Sequence, residues 1–180
     1  APKRFDNKIN SKFHESTPVF TKDGKTMYFT RNNFLNGKRG KDSKSVTLLK
    51  MYKSTLVDGQ WANIAELPFN SDNYSVAHPA LSLDEKTLYF ASDMPGTLGQ
   101  SDLFKVTINE NGTYSTPENL GAKINTEGRE TFPTISAENE LYFASDGRPG
   151  LGGLDIYVTR LDENQNIGEI QNIGEPVNSP

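Results

Sequence analysis

Aspartate and glycine recur together in this chain in a way that invites a cation. Asp93 opens the loop Met94-Pro-Gly-Thr-Leu-Gly-Gln-Ser101 and Asp102 closes it. Asp146 and Asp155 bracket the matching stretch Gly147-Arg-Pro-Gly-Leu-Gly-Gly-Leu154. Hard cations such as calcium take carboxylate and carbonyl oxygens, so these four aspartates are calcium candidates. The plainer role for Asp102 and Asp155 is to accept backbone hydrogen bonds and orient the strand that follows. The spacing is not that of a helix-loop-helix calcium site, and a third copy of the stretch carries Asn32 and Lys50 instead. Other groups with chemistry are sparse. His14 and His78 are offset in the repeat, which suits neither a shared metal nor a catalytic pair. Glu15 and Glu130 both stand three residues before a proline, where they would either receive a basic partner group or accept neighbouring N–H bonds.

These residues sit on a threefold repeat. Thr17-Pro-Val-Phe-Thr-Lys-Asp-Gly-Lys-Thr-Met-Tyr-Phe-Thr30, His78-Pro-Ala-Leu-Ser-Leu-Asp-Glu-Lys-Thr-Leu-Tyr-Phe-Ala91 and Phe132-Pro-Thr-Ile-Ser-Ala-Glu-Asn-Glu-Leu-Tyr-Phe-Ala144 are copies of one segment. Each copy runs on through a loop to Leu49–Lys53, Asp102–Thr107 or Leu154–Thr159, and then to Trp61, Tyr114 or Ile167. A tripeptide recurs four times: Ile9-Asn-Ser11, Phe69-Asn-Ser71, Ile124-Asn-Thr126 and Val177-Asn-Ser179. Short aromatic-rich runs between turn residues predict strands, and Asp23-Gly24 predicts a hairpin. The apolar spacing supports no long helix. Four strands per unit of roughly fifty residues is the spacing of a propeller blade. The expected fold is therefore all-β, a single β-propeller region over 1–180. Its three four-stranded blades correspond to repeats 13–71, 72–126 and 127–179. The proline segment forms strand A, Leu-Tyr-Phe strand B, Asp-Leu-Phe strand C, and the Trp61/Tyr114 segment strand D.

Pro79 to Ser92 with Gly99 to Phe104, and Pro133 to Ser145 with Gly152 to Tyr157, carry a pattern that resembles the TolB-type (PD40, WD40-like) propeller repeat. The wording Phe90-Ala-Ser-Asp93 with Pro95-Gly96, and Asn119-Leu-Gly with Ile124-Asn-Thr126, is similar to the propeller of OmpA-family envelope lipoproteins associated with type IX secretion and gliding. The resemblance implies a non-catalytic protein–protein scaffold in a bacterial cell-envelope assembly, in the periplasm and associated with the outer membrane. Its partners would be envelope or outer-membrane proteins. A lipid anchor or peptidoglycan-binding domain, if the protein has one, is expected outside these residues. Three blades are fewer than the four to eight of a closed ring. The expectation is a piece of a ring of about six blades, a ring closed by self-association with a second chain, or blades supplied by another polypeptide.

The alternative is a glycan-binding or glycoside-hydrolysing propeller. Thr21-Lys-Asp-Gly-Lys-Thr26 resembles the Asp-box turn of sialidase propellers with one residue missing, and the six arginines form no cluster that such a site would want. No Gly-x-Ser-x-Gly elbow occurs. The reading is thus not an enzyme, with no cofactor. Partner-binding candidates are Glu15, His78 and Glu130 on the strand A side, and Arg31, Asp93, Asp146 and Arg148 on the loops after strand B.

Composition bounds the rest. With no cysteine, disulfides and thiol chemistry are excluded. No apolar run is long enough to span a membrane. The chain is acidic overall, at net −4, and has no nucleic-acid reader motif. Charge is uneven: residues 1–90 hold 14 basic and 9 acidic side chains, a net +5, and residues 91–180 hold 5 and 14, a net −9. Such polarity can orient a partner or a head-to-tail contact between chains. The basic run Lys38-Arg-Gly-Lys-Asp-Ser-Lys44 reads as a solvated loop, with an anionic partner as the alternative.

Overall fold

The computed structural model describes residues 5–6, 8–11, 14–35, 38–39 and 47–180, with the backbone alone at 34–35 and 38–39. Among the described residues every regular element is a strand: β1 (Glu15–Phe20), β2 (Thr26–Asn32), β3 (Phe34–Leu35), β4 (Lys38–Arg39), β5 (Leu49–Val57), β6 (Gln60–Glu66), β7 (Val76–Leu81), β8 (Thr87–Ser92), β9 (Asp102–Thr107), β10 (Glu118–Asn119), β11 (Glu130–Ile135), β12 (Glu140–Ser145), β13 (Asp155–Leu161) and β14 (Ile167–Asn172). No helix among them is long and apolar enough to cross a membrane. The strands form three four-stranded antiparallel sheets, β1-β2-β5-β6, β7-β8-β9-β10 and β11-β12-β13-β14, each an up-and-down meander in chain order. The fold is that of a β-propeller segment of three blades, as the repeat predicts. The pair β3-β4 is a separate short ladder; the rest of the basic run, 40–44, lies outside the described residues.

The same physics builds each sheet. The B and C strands pair in one register, which sets Phe29 opposite Tyr52, Phe90 opposite Phe104 and Phe143 opposite Tyr157. Each pair stacks at 5.7–5.9 Å between ring centroids, a cross-strand aromatic contact that fixes the register. The hairpin between A and B needs one left-handed residue. Gly24 supplies it at no steric penalty (φ +66°), and Glu85 and Asn139 adopt the same conformation (φ +60° and +61°). Thr21 and Asp23 brace the first of these turns from within. The Thr21 hydroxyl donates to Asp23 at 2.7 Å, and the Lys25 N–H donates to the same carboxylate at 2.9 Å. The residue resembling an Asp-box acid is therefore a turn brace.

Strand D of the second sheet departs from expectation. It lies at Glu118–Asn119, and Tyr114 makes only a lone bridge with Ile108. Pro117 stands between them and has no N–H to offer a ladder.

The chain divides into two compact units, Ala1–Pro79 and Ala80–Pro180, the division falling within β7. The core of the first is Ile9, Met27, Phe29, Tyr52 and Trp61. That of the second joins Tyr89, Ala91 and Leu103 of one blade to Leu141, Phe143, Tyr157 and Leu161 of the next, with Ile124 between them.

Candidate interaction site

Most of the residues with reactive side chains are fastenings. Glu130 is 0% exposed and accepts the Thr126 N–H and hydroxyl (both 2.7 Å) and the Ser145 hydroxyl. Glu15 accepts the Ser11 N–H at 3.1 Å and pairs with Arg31 Nε at 3.0 Å. Of the two roles the sequence leaves open for these acids, the structure shows the bonds to neighbouring N–H groups: both hold the tripeptide that leads into their own blade. Arg31 is likewise buried: its guanidinium donates to the Ile9 carbonyl at 2.6 Å and lies 5.1 Å from the Phe29 and Tyr52 ring centroids. Arg148 does the same work from a different sequence position. It donates to the Ile124 carbonyl at 2.9 Å and lies 5.9 Å from Phe143 and Tyr157. Arg31 is buried and Arg148 half-buried, and both spend guanidinium N–H groups on carbonyls of their own chain.

The recurring tripeptide explains itself in three dimensions. Its asparagine clamps strand C of the preceding blade through both backbone groups. The Met51 N–H donates to Asn70 Oδ1 at 3.0 Å, and Asn70 Nδ2 donates to the Met51 carbonyl at 2.7 Å. Asn125 holds Leu103 at 2.8 and 3.0 Å, and Asn178 holds Ile156 at 2.8 and 2.9 Å. Its apolar residue is buried in the first three copies, as Ile9, Phe69 and Ile124, whereas Val177 is 61% exposed.

The loop aspartates have spent their oxygens on the backbone. Asp102 accepts the Leu98 and Gly99 N–H groups and Asn119 Nδ2; Asp155 accepts those of Leu151 and Gly152. In the first blade Lys50 takes the place and pairs with Glu66 at 3.1 Å and Asp72 at 2.8 Å. Asp146 pairs with Arg129 at 2.7 Å; the Arg129 backbone N–H, then its guanidinium, hold that carboxyl below its ordinary range. Among the described residues no group of three or more acidic and histidine side chains is placed to hold a metal ion. Asp93 and His14 are exposed. His78 is half-buried on strand A with φ +58°, and burial lowers its imidazole to about 4. Its backbone N–H donates to the Thr30 hydroxyl at 2.8 Å. Thr17 and Phe132, the other residues before the repeat proline, share the left-handed conformation, and the ladders of β1 and β11 slip register there. A bulge therefore marks strand A of those two blades.

What the reactive residues do not provide, an apolar surface does. On the first blade, Phe5, Ile9, Pro18, Phe20, Met27 and Phe29 line a groove of about 280 Å³ whose polar rim includes Glu15. Phe5 and Phe20 are 57% and 40% exposed and stand 6.1 Å apart; Trp61 joins them at 6.1 and 5.7 Å. Exposed aromatics clustered round a concavity make a candidate binding surface. The groove escapes sequence reading because each residue sits at a position the repeat makes apolar. One signal was available: the bulkiest residues at two repeat positions both fall in blade one, Phe20 against Leu81 and Ile135, and Trp61 against Tyr114 and Ile167.

No protein-family profile matches the sequence, and no curated protein matches it. Solved structures do match in fold. TolB from Acinetobacter baumannii superposes over 89% of this chain and 33% of its own, with a TM-score of 0.53 at 15% identity. An alpha-L-arabinofuranosidase from Lactobacillus brevis covers 89% and 51%, at TM-score 0.56 and 13% identity. A puromycin-hydrolyzing peptidase of Mycobacterium tuberculosis covers 89% and 23%, at 0.53 and 18%. The chain thus spans about a quarter to a half of these proteins. They share its propeller-like fold while differing in what they do, so the fold by itself assigns no activity.

Proposed function

We propose that this chain is a non-catalytic protein–protein interaction scaffold in a bacterial cell-envelope assembly, periplasmic and linked to outer-membrane or type IX secretion machinery. The groove of the first blade, with Phe5 and Phe20 at its mouth, is the observation that carries the binding role. The envelope setting rests on the repeat wording around Phe90–Asp93 and Ile124–Thr126. The engagement of Glu15, Glu130, Asp102 and Asp155 in internal hydrogen bonds weighs against hydrolysis, since glycoside chemistry needs a pair of carboxylates facing substrate. The test is capture from an envelope extract by the chain and by Phe20→Glu, with retained proteins identified by mass spectrometry. Outer-membrane or secretion proteins held by the first and lost by the second support the reading. Equal capture by both, or glycoside turnover abolished by a single carboxylate change, refutes it.

A further inference from the structure

A second concavity lies within the second unit, between blades two and three, and holds about 200 Å³. Leu120, Leu141, Leu161 and Ile167 give it an aliphatic floor, and Tyr89, Lys105, Glu118, Gln165 and Asn166 stand round them. Lys105 and Glu118 pair at 3.5 Å, so each lining charge is answered by the other. The same register in blade three carries Val158 and Gln171, so a blade does not need this pair. Tyr89 is buried, and its hydroxyl donates to Gln165 Oε1 at 2.8 Å. Burial raises that phenol above its ordinary range and keeps the proton on it. Gln165 holds a left-handed backbone (φ +63°) where the matching turn of blade two has Gly112 (φ +79°). The conformation strains a residue other than glycine, and it brings a side chain to Tyr89 that glycine lacks. Asn166 Nδ2 donates to Asp162 Oδ2 at 2.8 Å, whereas Gln165 Nε2 and Asn166 Oδ1 bond no described residue. The walls therefore offer an ammonium, a carboxylate, an amide N–H and an amide oxygen above aliphatic carbon.

We propose that this cavity binds one neutral pyranose, as a free monosaccharide or as the end residue of a glycan. Sugar hydroxyls both donate and accept, so mixed donors and acceptors round the rim suit them. The C–H face of the ring is apolar and suits the leucine floor. The volume lies below the roughly 300–1,000 Å³ of sites for drug-sized ligands, which fits one ring rather than a chain of them. A charged ligand would first have to part Lys105 from Glu118. The lining holds one carboxylate where glycoside hydrolysis needs two, so binding rather than cleavage is its chemistry. The blade-one groove belongs to the other unit, and neither site depends on the other.

The test is nuclear magnetic resonance of the side-chain amides during titration with D-glucose, D-galactose and D-mannose, and with their methyl glycosides. Saturable shifts at Gln165 and Asn166, with a millimolar dissociation constant, are expected from at least one of these sugars. Lys105→Met and Glu118→Gln, both at the rim, should each weaken binding roughly tenfold, and thermal melts check that they fold. Binding of a methyl glycoside as well as its free sugar supports a glycan end as the ligand; binding of the free sugar alone supports a monosaccharide. No saturable shift with any of these sugars, shifts centred on other residues, or undiminished binding by both variants overturns the assignment. Should a variant lose its fold, the position of the shifts in the parent chain decides alone.

Discussion

Replacing Asn125 by alanine tests whether the recurring tripeptide is a structural fastening. Asn125 is 2% exposed. It is the acceptor for the Leu103 N–H at 2.8 Å, so the substitution strands a buried donor, at about 1–3 kcal/mol. The Leu103 carbonyl suffers less, because it keeps the Leu120 N–H at 3.0 Å and loses only the Asn125 amide, about 0.5–1.5 kcal/mol. Asn119 Oδ1 likewise keeps the Gly121 N–H at 2.7 Å. The expected loss is about 2–4 kcal/mol of local stability.

The repeat supplies its own control. Asn10 occupies the same position in its tripeptide, but its Oδ1 accepts the nearby Asp6 N–H at 3.1 Å rather than bracketing a strand C residue. Asn10→Ala is expected to lose about 1 kcal/mol or less. The assay is native-state amide exchange read at Leu103. Its protection should fall roughly 30- to 1000-fold in Asn125→Ala, at 1.4 kcal/mol per factor of ten. Urea unfolding by far-UV circular dichroism compares the two variants overall. If both asparagines lose the same stability within about 0.5 kcal/mol, the two-point clamp is not what the residue contributes, and the fastening argument fails.

Two further outcomes follow from the geometry. His78 is lowered to about 4 by burial. Above about pH 6.5 the imidazole is neutral folded or unfolded and has no effect; as pH falls from there to 4 only the unfolded chain takes up the proton, so stability drops by at most about 3 kcal/mol, discounted for partial exposure. His78→Asn, which tolerates the left-handed backbone, should remove that part of the acid slope in unfolding titrations between pH 7 and 4; an unchanged slope would show that His78 is solvated. Arg148→Met should change stability by less than about 1 kcal/mol in thermal unfolding, because Met94 stands buried before the equivalent Pro-Gly and Arg148 Nε has no hydrogen-bond partner; a loss above about 3 kcal/mol would mean the guanidinium bond to the Ile124 carbonyl dominates.

The blades were legible because their signals are local. Aromatic strands, Asp23-Gly24 and repeated proline each act within a few residues, and three copies average out the exceptions. Strand D of blade two was misplaced because Tyr114 fits the repeat while Pro117 shifts the pairing downstream. The internal contacts of the site candidates are less legible for a different reason. Glu15, Glu130, Arg31 and Arg148 look like surface charges, since such residues are rarely buried unless paired. Their partners are backbone groups of a tripeptide four or more residues away in sequence, and only the folded chain brings those together.

What repeats here is geometry rather than residue type. A guanidinium covers the aromatic pair in blades one and three, reached from Arg31 in one and Arg148 in the other, and Met94 stands at the corresponding place in blade two. A carboxylate receives the tripeptide in blades one and three, while Val76 holds that position in blade two. Aspartate closes the loop twice, and lysine with two acids takes its place once. Where three different side chains serve one structural need, the need belongs to the blade, and charge at those positions carries little information about a partner. The informative positions are those where a blade's need is unmet. Tyr142, Ala144 and Ile156 are only half-buried where their counterparts in blade two are buried, and Phe5 and Phe20 are exposed at the mouth of a groove whose floor, Ile9, Met27 and Phe29, is itself buried. Apolar area left in water at such places is free energy still available to association, at about 25 cal/mol per Å² before the losses of binding are subtracted. In this chain the exposed apolar positions, Phe5 and Phe20 first, are therefore a better place to test for binding than the charged loops.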